Sequence, residues 1–235
     1  WLLLGLLYLG FREYADATHA RRGARLAAGT VMLAAAIHPY LAAMSWTLAQ
    51  AGYLRLWRSR LMAPGRAAVM ALVTTGSMLA VLGVIGYFGD AGTGFSGFGV
   101  YSADLVALID PQEFSRLLPA FSLPGGQWEG FGFVGLGGLL AGAIAIVAFV
   151  RVRPSLRAGT WLIALACVLM GLYALSVKVT LAGAPVADLR RLYGSLGFIT
   201  QPFRASGRFI WPLHYLALLG GIWGTTRILG PSRQS

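Results

Sequence analysis

Five stretches of the chain contain no Asp, Glu, Lys or Arg: residues 26–54, 67–89, 130–150, 158–177 and 209–226. A hydrocarbon core about 30 Å thick is crossed by about 20 apolar helical residues, and each stretch is of that order or longer. Inside lipid the backbone must satisfy its own N–H and C=O groups, which selects helices over irregular chain. The pattern predicts an all-α fold: a polytopic transmembrane helical bundle of about five to seven membrane helices, forming a single transmembrane domain over residues 1–235. The opening run from Trp1 to Leu9 has no basic segment before it and no small-residue cleavage site after it, so it reads as the tail of a preceding membrane helix rather than a signal peptide. On that reading residues 1–235 are the C-terminal part of a larger protein.

Charge in the intervening segments predicts orientation. Residues 55–66 carry Arg55, Arg58, Arg60 and Arg66, residues 151–157 carry Arg151, Arg153 and Arg157, and neither segment holds an acid. Basic loops stay on the cytoplasmic side. Residues 90–129 hold five of the eight acids, Asp90, Asp104, Asp110, Glu113 and Glu129, against Arg116 alone, and are expected outside together with 178–208. Residues 11–25 break the alternation, because Arg12, Arg21, Arg22 and Arg25 make them look cytoplasmic too. Two cytoplasmic flanks cannot bracket one simple span. The stretch between them is interrupted at Ile37-His38-Pro39-Tyr40, where proline removes a helical hydrogen bond and disfavours helix in the residue before it. Either a pair of short half-helices turns back at His38 and Pro39, or one kinked span places a basic loop outside.

Composition agrees with this picture. Charged residues are 11% of the chain and the mean hydropathy is +0.69, so membrane helices are where so much apolar surface belongs. The net charge of +11, carried by 18 Arg and Lys178, does not mark a nucleic-acid binder. Its placement in loops serves topology and attraction to anionic headgroups. Arginine in place of lysine, with abundant Ala, Gly and Leu and no Asn, is the usage of a GC-rich bacterial genome, and the expected location is multi-pass in a bacterial cytoplasmic (inner) membrane. Cys167 is alone in mid-span and is expected to pack as a small apolar group. Glycines inside the stretches, Gly135, Gly137, Gly138 and Gly142 and again Gly220, Gly221 and Gly224, let helices approach closely. The polar tail from Gly230 is expected to be disordered.

Few residues carry candidate chemistry. Gly130-Phe131-Gly132-Phe133-Val134-Gly135 has the G-x-G-x-x-G spacing, but it opens an apolar helix and lacks the strand-to-helix context of a dinucleotide site. His19, His38 and His214 fall at no metal-ligand spacing, so no metal and no cofactor is expected. His38, inside a charge-free stretch, either donates to a backbone carbonyl freed at the kink or faces a cavity as part of a lipid-phosphate site. Asp104 and Glu129, in an aromatic and glycine-rich loop, form a possible polar site, a carboxylate pair for acid–base work or cation binding, or else cap helices and surface. Arg204 and Arg208, four apart beside small residues, suit a lipid phosphate, with ordinary headgroup anchoring as the alternative.

An ordered set of motifs carries a resemblance: Ile37-His38-Pro39-Tyr40-Leu41, Gly99-Val100-Tyr101-Ser102-Ala103-Asp104-Leu105, Trp128-Glu129-Gly130-Phe131 and Phe203-Arg204-Ala205-Ser206-Gly207-Arg208-Phe209. Together they resemble an uncharacterised family of bacterial integral membrane proteins, a domain of unknown function among the GT-C polytopic glycosyltransferases. The resemblance implies a GT-C-like helical fold that takes a sugar from a polyprenyl-phosphate donor, with the catalytic acid upstream of these residues. A catalytic residue is therefore not assigned here. A flippase or other transporter of lipid-linked intermediates, and a non-catalytic membrane subunit of a larger complex, are the alternatives. Expected partners are membrane lipids, a polyprenyl-phosphate sugar and other membrane proteins, with no nucleic acid.

Overall fold

The computed structural model describes residues 1–88, 98–153, 158–194 and 203–229. The first part of the acid-rich loop, 154–157 of the second basic loop, 195–202 and the tail from 230 lie outside the described residues. The described chain is mostly helical. It divides into two compact units, Trp1–Gly94 with Leu156–Met170, and Phe95–Ser155 with Gly171–Ser235.

The first unit contains α1 (Leu2–Phe11), α2 (Ala17–Ile37), α3 (Pro39–Arg58) and α4 (Pro64–Val84). Asp16 starts α2 by accepting from the backbone N–H groups of Thr18 and His19 at 2.7 and 3.0 Å, two donors the first turn leaves without helical partners. The helix stops at Ile37 because His38 precedes proline and is held extended, with φ −164° and ψ 135°. Pro39 then opens α3 at the position where a missing N–H costs nothing. The chain reverses at this point. Tyr53 Oη donates to the Ala24 carbonyl at 3.3 Å, and these residues lie at similar distances after and before His38, so α2 and α3 run antiparallel. They are full helices of 21 and 20 residues, about 30 Å each, rather than short half-helices or one kinked span. Charge-free length understates both, because Arg21, Arg22 and Arg25 lie in α2 and Arg55 and Arg58 in α3. Trp46 Nε1 donates to Thr75 Oγ1 at 2.8 Å and the Tyr53 hydroxyl pairs with Thr74 Oγ1 at 2.9 Å, fastening α4 to α3.

Helix α5 (Gly135–Val152) belongs to the second unit, and α6 (Trp161–Ala174) passes from the first unit to the second at Gly171. Next come strands β1 (Lys178–Leu181) and β2 (Ala184–Asp188), the single turn α7 (Arg190–Tyr193) and α8 (Trp211–Leu229). The hairpin departs from the all-α expectation. Its strands pair antiparallel from Lys178 opposite Asp188 to Leu181 opposite Ala184, across a two-residue turn in which Ala182 and Gly183 have φ of 51° and 84°. Positive φ at both turn positions matches the right-handed twist of two short strands. Helices α5 and α8 pack along a seam of small residues: a Cβ on Gly224 would run into Ala145, and one on Gly221 would come within 3.0 Å of the Ala141 Cβ.

Among the described residues, two helices are long and apolar enough to cross a membrane, Pro64–Val84 and Gly135–Val152. Helices α1 and α6 are apolar but shorter. The stretch 158–177 yields only the 14 residues of α6, because Gly159 and Ser176 near its ends take positive φ of 84° and 63° and cannot continue a right-handed helix. Helix α2 carries Arg21, Arg22 and Arg25 in its first half, and α3 carries Arg55 and Arg58 in its last turn. The five charge-free stretches therefore give two helices of spanning length and composition.

Candidate functional site

The sequence-predicted residues of the second unit meet at a convergence of three backbone segments. Gly207 N–H donates to the Tyr101 carbonyl at 2.8 Å, and a Cβ on Gly207 would lie 2.8 Å from both Cα and N of Gly130. No side chain fits there, so glycine is what permits the approach. A Cβ on Gly130 would in turn fall 2.5 Å from the Ala103 Cα. Chain neighbours of these contacts are thereby brought face to face. Glu129 accepts from Arg208, Nε to Oε2 at 2.6 Å and Nη2 to Oε1 at 3.0 Å, a two-point fork on a carboxylate that is largely shielded from solvent.

Arg204 lies on the other side of the same turn. Its guanidinium carbon is 5.3 Å from the centre of the Tyr101 ring, in cation–π range, and the residue is exposed. The 3-10 helix Ser206–Ile210 begins after Arg204, so the two arginines do not project as an i, i+4 pair from one helical face. Arg208 is held by Glu129, whereas Arg204 is exposed against the Tyr101 ring. Beside them runs an aromatic wall, with Tyr173 and Phe209 at 4.9 Å, Phe203 and Phe209 at 5.2 Å, and Phe98 and Tyr193 at 5.4 Å between ring centres.

Asp104 is buried and works as a keystone. Its Oδ1 accepts from the N–H groups of Val106 and Ala182, both at 2.9 Å, and Oδ2 accepts from Gly183 N–H at 3.0 Å. Burial alone would raise its pKa, but hydrogen bonds from the Thr180 hydroxyl and from these three N–H groups outweigh it and hold the carboxyl below the ordinary range. Asp104 therefore ties the loop to the β1–β2 turn as an anion. Gln127 adds a second tie, donating through Nε2 to Thr180 Oγ1 at 2.7 Å and to Ser102 Oγ at 3.3 Å. Asp104 and Glu129 thus have separate donors, three backbone N–H groups and the Thr180 hydroxyl for one and a guanidinium for the other.

His38 belongs to the first unit. Its Nδ1 accepts from Tyr40 N–H at 3.2 Å, which makes it the cap of α3 and puts the neutral ring's proton on Nε2. No group of three or more His, Cys, Asp or Glu side chains suited to a metal occurs among the described residues. The roles of Gln127, Thr180 and Gly183 are not legible in sequence, since each acts across more than 50 residues of chain. A signal for Glu129 and Arg208 does exist: each is the last charge before an apolar stretch.

These features define a mostly helical protein in which two helices have the length and composition of membrane spans, with a folded polar and aromatic segment at the entry to α5. The chain belongs to the family described as Domain of unknown function (DUF6311), whose model matches residues 1–234. No curated protein and no solved structure matches it.

Proposed function

We propose that this chain is a multi-pass integral membrane protein of the bacterial cytoplasmic membrane and forms part of a GT-C-type glycosyltransferase that draws on a polyprenyl-phosphate-linked sugar. One observation carries the membrane part. Leu140, Ile146 and Val150 along α5 are 61%, 69% and 64% exposed, and Ala148 is the buried residue of that helix. A soluble protein's apolar helix hides such side chains, whereas lipid is the solvent that receives them. In this reading α2, α3, α6 and α8 cross the bilayer as α4 and α5 do, in keeping with five to seven spans. Bonds from Ala182 and Gly183 to Asp104 join the acid-rich loop to the hairpin and so support the proposal that both lie on one side. The approach of Gly159 to the Arg55 backbone is in keeping with two basic segments on one side.

Arg204 supports the lipid-phosphate part. It is an exposed guanidinium beside an aromatic ring, a fork free to meet a phosphate. Arg208 and Glu129 hold the turn that carries it. Two measurements test the reading. Alkaline carbonate should leave the protein in the membrane pellet, and its release would end the membrane reading. In vesicles containing a polyprenyl phosphate, Arg204→Ala and Arg204→Lys should each weaken phosphate-dependent binding roughly tenfold or more. Parent-like binding by both would remove Arg204 from the site.

A transporter of lipid-linked intermediates is the second reading, and the burial of Arg55 favours it. That side chain in α3 is 4% exposed and donates from Nη2 to the Arg12 carbonyl at 2.9 Å. Arg55 stands in the last turn of α3, and a buried ionisable group at a helix end fits the mouth of a substrate path. Sugar transfer to an acceptor distinguishes the enzyme, and movement of the intact lipid-linked sugar distinguishes the transporter.

A further inference from the structure

Resting on the membrane reading above, we propose that residues 110–121 form a preshaped wedge that inserts into the headgroup layer of a phospholipid bilayer beside the start of α5. A single carboxylate closes this loop at its base. Asp110 is fully buried, and its Oδ1 accepts from the N–H groups of Gln112 and Phe121, both at 3.1 Å, so one oxygen joins the two ends. The interior is braced as well. Ser115 Oγ accepts from Leu117 and Leu118 N–H at 3.2 and 3.1 Å, and Phe114 N–H donates to the Pro111 carbonyl at 2.8 Å. This is the construction of an Ω-loop, compact and closed at the neck. A loop held in this way cannot collapse to hide its apolar side chains, yet Phe114 and Leu117 are 81% and 78% exposed.

Its position identifies the partner. The Phe114 ring lies 5.3 Å from that of Phe131, four residues before α5 begins, and Val134 N–H donates to the Leu108 carbonyl at 3.1 Å. The loop therefore stands at the mouth of the helix whose sides expose Leu140, Ile146 and Val150. Arg116, exposed between Phe114 and Leu117, supplies a cation where lipid phosphates lie. Apolar side chains flanking an arginine at the end of a lipid-facing helix fit the bilayer interface, which is apolar below and anionic above.

Depth-dependent quenching tests this. Leu117→Cys and Ile146→Cys, each in a Cys167→Ala background, are labelled with an environment-sensitive fluorophore and reconstituted into phosphatidylcholine–phosphatidylglycerol vesicles carrying a nitroxide either near the headgroup or near the acyl-chain end. Ile146 lies about 16 Å along α5 and serves as the deep reference. The wedge predicts that the label at 117 is quenched more by the shallow nitroxide, and the label at 146 more by the deep one. Phe114→Cys should behave like Leu117→Cys. Quenching at 146 with none at 117 or 114 overturns the wedge and leaves the membrane reading standing. Absence of quenching at all three positions overturns both. A label at 117 shielded from aqueous iodide and from either nitroxide means that protein covers the loop, which also overturns the proposal.

Discussion

Glu129 and Arg208, 79 residues apart in the chain, are joined by two hydrogen bonds of 2.6 and 3.0 Å that link the entry of α5 to the entry of α8. The pairing is a consequence of glycine. Gly130 and Gly207, their immediate neighbours, come too close for any side chain to stand between them. His214 repeats the link one turn into α8, its Nδ1 lying 2.6 Å from the Gly132 carbonyl. Two helices packed along a glycine seam thus start from a common polar fastening.

Removing Arg208 should expose the cost of that fastening. Arg208→Met leaves a shielded carboxylate without its fork and is expected to destabilise the protein by about 2–3 kcal/mol. Arg208→Lys keeps the charge, loses the second hydrogen bond and should cost less. In thermal unfolding, adding Glu129→Gln to Arg208→Met should recover at least about 1 kcal/mol. Strictly additive losses would mean that the two residues are not coupled.

Asp104 should make stability depend on acid. Its pKa is depressed in the folded protein, so its contribution is complete above the unfolded carboxylate range, about pH 4, and is lost as pH falls through the lower folded value. Asp104→Asn turns a donor toward backbone N–H groups and is expected to cost about 1–3 kcal/mol at neutral pH. The gap in melting temperature between parent and variant should narrow below that range. A gap that is the same from neutral to acid pH would contradict an ionised Asp104.

Two glycines of α8 should respond oppositely to alanine. At Gly220 a Cβ meets nothing within 4 Å, so Gly220→Ala should be neutral or gain up to about 1 kcal/mol from helix propensity. At Gly224 the new methyl meets the Ala145 backbone, and Gly224→Ala should lose about 1–3 kcal/mol by forcing α5 and α8 apart. Equal melting temperatures for the two variants would argue against the seam.

Sidedness can be read with exposed alanines. Ala63, between α3 and α4, and Ala120, in the loop before α5, should label from opposite sides of the membrane when each is replaced by cysteine. Labelling of both by an impermeant maleimide from one side of sealed vesicles would refute the proposed topology.

Local chemistry determines much of this protein. The apolar length of 67–89 and 130–150 by itself specifies α4 and α5, because the cost of charge and unpaired backbone in an apolar medium is paid residue by residue. Asp16 as a cap and Pro39 as a break are equally local, since each acts on the next few peptide groups. Other features require the fold. Nothing near Arg25 or Arg55 says that each lies inside a helix longer than its charge-free core, because tertiary packing of α2 against α3 decides where those helices stop. Arg204 and Arg208 look alike in sequence, yet one faces a tyrosine ring and the other a carboxylate, and Asp104 finds its donors at a turn near residue 183. Those partners come from distant parts of the chain, and only the close approach of particular backbones, set by glycines and by the small hairpin, determines which charge is held and which remains available.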